Sequence, residues 1–401
     1  MIELCQRREC TGCGACANAC AYGCISMKPD AEGFLFPCVD EARCRRCHMC
    51  EKVCERLMAA PLNARADHVL ASWAFDQSIR NSSSSGGVFS VLAGATLREN
   101  GVVNGVMFDG QFNLCQRLIE KAEDLSRARG SRYVQSEPKD IYKRVEQELG
   151  RGRRVLFTST PCQVAGLKAY LGKNYDGLTT CDFICHGVPS PAYFRRYLNE
   201  KIHAAGRSDI VDYVFRDLKG WGWHCALRFS NGEEVVFPTY TDAYMVPFLA
   251  GVNYRESCYR CKYARRERCS DLTIGDFWSI ENYLAQSKTS RGGVSLVVIN
   301  TEKGGRLMRE VRADISRRAY PWAACYDNEQ LHRPSFRPAL RDDFYAHAFH
   351  DDLDEILLKC GFVAGKRTLA EFVRVIERKV SQITKRLVAK IYVKVWECFE
   401  R

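Results

Sequence analysis

The sequence contains no apolar run long enough to cross a bilayer, and its first residues, MIELCQRREC, lack the apolar core of a signal peptide. Both absences argue against export into an oxidising compartment. A cytoplasmic location is therefore expected, with disulfides the weaker reading of the cysteines and metal the stronger one. No repeat is visible apart from two cysteine runs. Cysteine is what the chain has in excess: 22 in 401 residues, 11 of them before residue 58. Otherwise the composition, 46% hydrophobic and 27% charged, is that of an ordinary globular protein with room for two or three domains.

The two runs are Cys10-x2-Cys13-x2-Cys16-x3-Cys20 and Cys44-x2-Cys47-x2-Cys50-x3-Cys54. A run of this spacing gives three thiolates to one [4Fe–4S] cube, and its fourth cysteine crosses to the other. On that rule Cys10, Cys13, Cys16 and Cys54 hold one cluster, and Cys44, Cys47, Cys50 and Cys20 hold the other. Gly12 and Gly14 let the backbone wrap closely. A pair of zinc knuckles is the rival, but zinc takes four ligands per site and has no need of this doubled register. Neither run ends in the common Cys-Pro, since Ala21 and Glu55 follow. Cys5, Cys24 and Cys38 are left over and read as packed thiols. Two cubes with four thiolates each bring about four negative charges, so the formal +11 falls to about +7. That weakens the case for a nucleic-acid partner, and none is expected.

From Val69 the texture becomes α/β. Strand-like stretches (Val69 to Phe75, Val102 to Phe108, Val155 to Thr158) alternate with helix-like ones (Val88 to Glu99, Lys139 to Leu149, Val164 to Leu171). Pro161 suits a first helical turn, which puts Cys162 at the positive end of a helix dipole, where a thiolate is favoured. Cys185 follows an apolar strand, and Cys258 and Cys261 form a close pair in a segment rich in Arg and Tyr. Ser82 to Gly87 precedes an apolar-periodic segment, so its hydroxyls and N–H groups can cradle a pyrophosphate at a helix N-terminus. A plain flexible loop is the alternative. Gly130 to Ser136 reads likewise, either as a surface turn or as an Arg that pairs a phosphate beside a Tyr that stacks on a ring.

Several stretches, in order, carry a resemblance: Ser83-Ser84-Ser85-Gly86-Gly87-Val88-Phe89-Ser90, Gly130-Ser131-Arg132-Tyr133-Val134-Gln135-Ser136, and Thr160-Pro161-Cys162-Gln163-Val164-Ala165-Gly166-Leu167. They continue with Cys185-His186-Gly187-Val188-Pro189-Ser190-Pro191, Phe215-Arg216-Asp217, and Cys258-x2-Cys261 leading to Gly275-Asp276-Phe277-Trp278. Together they resemble the coenzyme F420 hydrogenase/dehydrogenase beta subunit family, flavin and iron–sulfur proteins often fused to a dicluster ferredoxin. The resemblance implies FAD at Ser84, Ser85, Gly86, Gly87, Ser131, Arg132, Tyr133 and Gln135. It also implies a third [4Fe–4S] cluster on Cys162, Cys185, Cys258 and Cys261. A zinc site with Cys258, Cys261 and Cys269, and unligated thiols, stay open as alternatives, and Cys269 is not a ligand expected of the family. His186 is then a candidate proton relay to a reduced flavin, with a structural histidine as the other reading. Asp276 reads as a core-lining acid, Phe277 and Trp278 as packing residues, and Arg216 with Asp217 as a pair.

Lys366 to Arg401 has ten basic and four acidic residues, and its apolar positions recur every three or four, as in an amphipathic helix. It is expected to dock on protein or to lie peripherally on an anionic membrane. The expected fold is α+β/α/β: a bacterial-type two-cluster ferredoxin domain (1–58), a mixed α/β flavin-binding module (69–350, in parts 69–150 and 151–350), and this tail (366–401). The expected function is a flavin-dependent iron–sulfur oxidoreductase. It would pass electrons between a redox partner protein, such as a ferredoxin or partner oxidoreductase, and coenzyme F420 or another hydride-carrying organic substrate. The alternative is an electron-transfer subunit without a substrate of its own.

Overall fold

The structure is a computed structural model that describes residues 2, 4–58, 62–207, 209–217, 224–280, 283 and 293–359. The basic tail lies outside the described residues. Among the described residues the α-helices are, in chain order, α1 (Ala15–Ala19), α2 (Met49–Lys52), α3 (Gln77–Asn81), α4 (Val88–Arg98), α5 (Leu125–Ala128), α6 (Ile141–Gly150), α7 (Pro161–Leu171), α8 (Pro191–Ala205), α9 (Met245–Leu249), α10 (Glu302–Glu310), α11 (Leu340–His347) and α12 (Leu353–Lys359).

Residues 155–157 of the strand β6 (Val155–Ser159) are all but inaccessible to solvent, as a strand covered on both faces must be. Its side chains alternate. Leu156 joins a core built with α4 and α10, while Val155 and Phe157 join one built with α6 and α7. The sheet around it has eight strands. In spatial order they are β13 (Ile315–Pro321), β3 (His68–Ala74), β12 (Ser295–Ile299), β11 (Leu272–Asp276), β7 (Leu178–Phe183), β6, β4 (Val102–Phe108) and β5 (Leu114–Ile119). The run β11-β7-β6-β4 is parallel and the flanking pairs are antiparallel. The sheet is therefore mixed, as expected. Strands from before and after residue 150 share it, with β3 between β12 and β13, so 69–150 and 151–350 are parts of one body.

Chain punctuation follows local chemistry. Pro161 opens α7 and Gly172, at φ +63°, closes it. Ser190 caps α8 by accepting from the Tyr193 N–H at 3.3 Å, with Pro191 behind it. A second, antiparallel sheet, β8 (Ile210–Asp217), β9 (His224–Phe229) and β10 (Glu234–Pro238), packs with α8 into an aromatic core that includes Phe194, Tyr197, Tyr213, Phe215 and Tyr244.

Residues 1–58 form a small unit with one hairpin, β1 (Ile25–Pro29) and β2 (Leu35–Val39). It does not stand apart. Phe34 enters the aromatic core, and a Cβ on Gly33 would come within 2.3 Å of the Ala192 Cβ on α8. Among the described residues, no helix is long and apolar enough to cross a membrane.

Candidate functional site

Backbone geometry repeats between the two cysteine runs. Gly12 and Gly14 have φ +68° and +76°, and their counterparts Arg46 and His48 have φ +51° and +59°. In each run the second of these left-handed residues precedes a short helix, α1 or α2, so the three leading thiols turn towards one point.

The thiols surround two hollows. One is lined by Cys10, Cys13, Cys16 and Cys54, and the other by Cys20, Cys44, Cys47 and Cys50. The structure thus groups the eight cysteines in the crossed sets expected from spacing. Among the described residues no group of three or more Cys, His, Asp or Glu converges as around a single metal ion. The thiols stand back around a cavity instead. Two of the leftover cysteines are not remote: Cys5 lines the first hollow and Cys24 the second, while Cys38 is exposed.

The two hollows differ in access. The Cys20 hollow is walled partly by the exposed Tyr22, Arg45, Cys47, His48 and Met49, whereas no residue lining the Cys10 hollow is exposed. We call them outer and inner. Beside the inner one, the Cys10 thiol is lowered to about 6, chiefly by a hydrogen bond from Cys5, with the charge of Arg255 adding to it. Burial pushes Cys13 well up.

The inner hollow abuts the body of the protein. A Cβ on Gly166 of α7 would lie 3.0 Å from Cys13 Sγ, and Tyr142 of α6 donates to the Cys13 carbonyl oxygen at 2.7 Å. Glu55, directly after Cys54, is 2% exposed. It accepts from Tyr263 Oη at 2.5 Å and Thr11 Oγ1 at 2.9 Å and pairs with Lys262 Nζ at 3.1 Å. The residue that replaces the customary proline is therefore a clasp between the 1–58 unit and the loop after Cys261.

One helical turn from Gly166 lies Cys162, at the carboxyl end of β6. Cys185 follows the carboxyl end of β7, and Cys258 and Cys261 lie on the loop that precedes β11. Functional groups collect at the carboxyl ends of parallel strands in such sheets. Cys162 is within electrostatic reach of Cys261 and Cys185, Cys185 of Cys258 and Cys261, and Cys258 of Cys261. Burial is the main cause raising all four thiols, Cys258 to about 12. Four partly buried thiols of this kind become thiolates together only around a cationic centre, such as the core of an iron–sulfur cluster. Cys269 stands apart: it is buried and its thiol donates to the Pro161 carbonyl oxygen at 3.4 Å.

Beside the quartet, Arg216 pairs with Asp276 rather than with Asp217, and its guanidinium lies 5.8 Å from the centre of the Trp278 ring. Asp276 is thus an ion-pair partner and not a core-lining acid. Phe277 is core as expected, 4% exposed, but Trp278 is 37% exposed. His186 is exposed overall, yet desolvation lowers its pKa against the pull of Asp276 and Glu329.

The serine loop leads into α4, whose N-cap, Gly87, has φ +86°. Most of its polar groups are already engaged: Ser83 Oγ donates to Ile79 O, Ser85 Oγ to Val294 O, and the Gly86 N–H to Ser295 Oγ. A Cβ on Gly86 would fall 2.3 Å from Ser72 O, so only glycine fits there. Ser131 Oγ donates to Ser84 Oγ at 3.0 Å, which brings the two loops together. Arg132 has a buried Nε without a hydrogen-bond partner, the donor an anionic group would satisfy. Tyr133 stacks on Phe248 with ring centres 4.3 Å apart, and Gln135 accepts from Arg255 at 3.2 Å beside Thr11 and Leu35, next to the inner hollow.

Two family models match the chain. The N-terminal part of the coenzyme F420 hydrogenase/dehydrogenase beta subunit matches residues 69–141, and its C terminus matches residues 152–318. The chain belongs to this family. F420 hydrogenase/dehydrogenase beta subunits are electron-transferring oxidoreductase components, iron–sulfur flavoproteins, and this chain is one of them. Among solved structures, a chain of the F420-reducing [NiFe] hydrogenase complex from Methanosarcina barkeri is 17% identical. That similarity covers 76% of this chain and 93% of the other, with a TM-score of 0.43. No curated protein sequence matches.

Proposed function

We propose that this F420 hydrogenase/dehydrogenase beta subunit-like chain is a flavin-dependent oxidoreductase with three iron–sulfur sites. Cys10, Cys13, Cys16 and Cys54 hold the inner [4Fe–4S] cluster, Cys44, Cys47, Cys50 and Cys20 the outer, and Cys162, Cys185, Cys258 and Cys261 a third. When bound, the clusters supply single-electron exchange and FAD supplies conversion to the two-electron chemistry of a hydride carrier, coenzyme F420 or another organic substrate. The observation that carries this reading is the succession of three cysteine quartets, from the exposed Cys47, through the inner hollow, to Cys162 one turn from the Gly166–Cys13 contact.

Each residue has work suited to its position. The Gly86-Gly87 start of α4 and the Ser84–Ser131 pair meet the flavin phosphates, with Arg132 Nε as the charged donor. Tyr133 supports that wall through Phe248 and does not stack on the flavin itself. Gln135 serves the inner hollow. His186, beside Cys185, is the candidate relay that passes a proton to and from the flavin site. Residues 1–58 act as a ferredoxin-like domain, residues 69–350 as the flavin module, and the tail beyond 366 as a docking segment for a partner protein or a membrane surface.

Metal and flavin analysis of protein purified without oxygen tests this. About twelve iron and one FAD per chain is the expected result. About eight iron with FAD removes the third cluster. Eight iron without flavin, even after added FAD, favours the electron-transfer subunit, and zinc in place of iron sinks the reading.

A further inference from the structure

Two arginines beside the inner hollow have more donors than partners. Arg255 is 1% exposed. Its Nε donates to the Cys10 carbonyl oxygen at 2.6 Å, and its Nη1 to the carbonyl oxygen of Leu35 at 3.0 Å and to Gln135 Oε1 at 3.2 Å. Nη2 is buried with no hydrogen-bond partner. Arg56 lines the hollow itself, and its Nε and Nη1 are likewise buried without partners. Buried donors are almost always satisfied in folded proteins, so two orphaned guanidinium nitrogens in the hollow's lining, with a third on Arg255 bonded to the lining residue Cys10, point to an anionic occupant.

Local charges sharpen the point. Glu55, the acid in the hollow's wall, is matched by Lys262 at 3.1 Å. Among the described residues no carboxylate forms an ion pair with Arg56 or Arg255. The outer hollow has arginines too, but Arg43, Arg45 and Arg46 are exposed, and water screens their charge. Arg255 also stands three residues before Cys258, whose N–H donates to its carbonyl oxygen at 2.9 Å, so one residue borders two of the cysteine quartets.

We propose that Arg56 and Arg255 are the buried counter-charges of the inner cluster and hold its midpoint potential above that of the outer cluster. This rests on the iron–sulfur reading given above. Reduction adds a negative charge to a cluster that is already anionic. Burial alone disfavours that charge, and two fixed guanidinium groups in a low-dielectric wall stabilise it more than solvated arginines can. The ordering makes the enclosed site the electron sink of the pair.

The test is a potentiometric titration of the full-length holoprotein followed by electron paramagnetic resonance. The outer signal is recognised by broadening with a dissolved dysprosium chelate, which reaches exposed clusters only. Arg255→Met and Arg56→Met should each move the inner midpoint downward, and the double variant should bring it to or below the outer one. Arg255→Lys should retain most of the wild-type value, and the outer midpoint should not move. An inner midpoint unchanged in both Met variants, with full iron content, overturns the proposal. Should Arg255→Met lose iron because its contacts to Cys10 and Leu35 are gone, Arg56→Met decides, since its Nε and Nη1 make no protein hydrogen bond. Wild-type protein without iron overturns the iron–sulfur reading itself, and this proposal with it.

Discussion

Gly12 and Arg46 hold the same place in the two cysteine runs and the same left-handed backbone, at φ +68° and +51°, yet only one can be glycine-free. A Cβ on Gly12 would meet Gln135 Nε2 at 2.3 Å and Arg255 Nη1 at 3.1 Å, whereas Arg46 is exposed. Docking on the body, not the cluster loop, imposes the glycine. Gly12→Ala should cost about 1–3 kcal/mol through crowding. Arg46→Gly should be neutral or stabilise by up to about 1 kcal/mol, since the left-handed strain is relieved. Thermal unfolding of the iron-loaded protein distinguishes them; equal losses for the two would contradict the argument.

Arg268 and Asp182 form an ion pair at 2.9 Å with 1% and 0% of their side chains exposed. Arg268 also donates to the Tyr263 carbonyl oxygen at 2.7 Å, so it braces the loop that carries Cys261. Removing one partner of a buried pair strands the other charge. Arg268→Ala should lose about 3–5 kcal/mol in chemical denaturation. A loss under about 1 kcal/mol, the value of a surface pair, would show that the pair is not shut off from water.

The thiols divide into those that face other thiols, as Cys162 faces Cys185 and Cys261, and those bonded to backbone, as Cys269 is to the Pro161 carbonyl oxygen. Cys162→Ser should lower iron by about four atoms per chain, while Cys269→Ser should leave it unchanged. Cys5→Ser should also keep the iron, because its hollow has four other thiols. Iron and acid-labile sulfide assays give the answer, and iron loss in the Cys269 variant would reopen the ligand assignment.

Glu267 links two arginines, Arg65 Nε at 2.5 Å and Arg265 Nε at 3.1 Å. The hydrogen bond from Arg65, followed by the residue's own backbone N–H and by Arg265, holds its carboxyl down to about 2. A lowered acid stabilises the fold above its unfolded value, about 4.3, and that contribution fades as pH falls towards 2. Glu267→Gln should cost up to about 1 kcal/mol near neutrality at low salt. The gap between the two proteins should close on acidification from about pH 5 to pH 3, and a gap that widens would refute the sign.

The cysteine grouping was readable because ligand spacing is a local property: three thiols on one tight turn and a fourth four residues on leave few ways to fold. The α/β texture was also local, and the expected strands near Val69, Val102 and Val155 became β3, β4 and β6. Docking was not local. Nothing beside Glu55 in the chain announces Tyr263 or Lys262, more than 200 residues away. Gln135 was grouped with its flavin-like neighbours, but its side chain bonds Thr11, Leu35 and Arg255, partners 100 or more residues away that the local stretch does not announce. Arg216 was paired with Asp217 by adjacency, although consecutive residues of a strand point to opposite faces. The one available sign of the clasp was the missing proline after Cys54, a departure from pattern whose meaning depends on what lies opposite.

The same clasp bears on inheritance. A cysteine-rich unit that made no such contacts could be exchanged between proteins with little regard for its host. This one could not. Glu55, Thr11 and the carbonyl oxygens of Cys10 and Leu35 are answered by Tyr263, Lys262 and Arg255, so cutting the chain near residue 60 would strand charges on both fragments. Cassette and host must change together, and a graft of the first 58 residues onto another member would need those three residues carried with it.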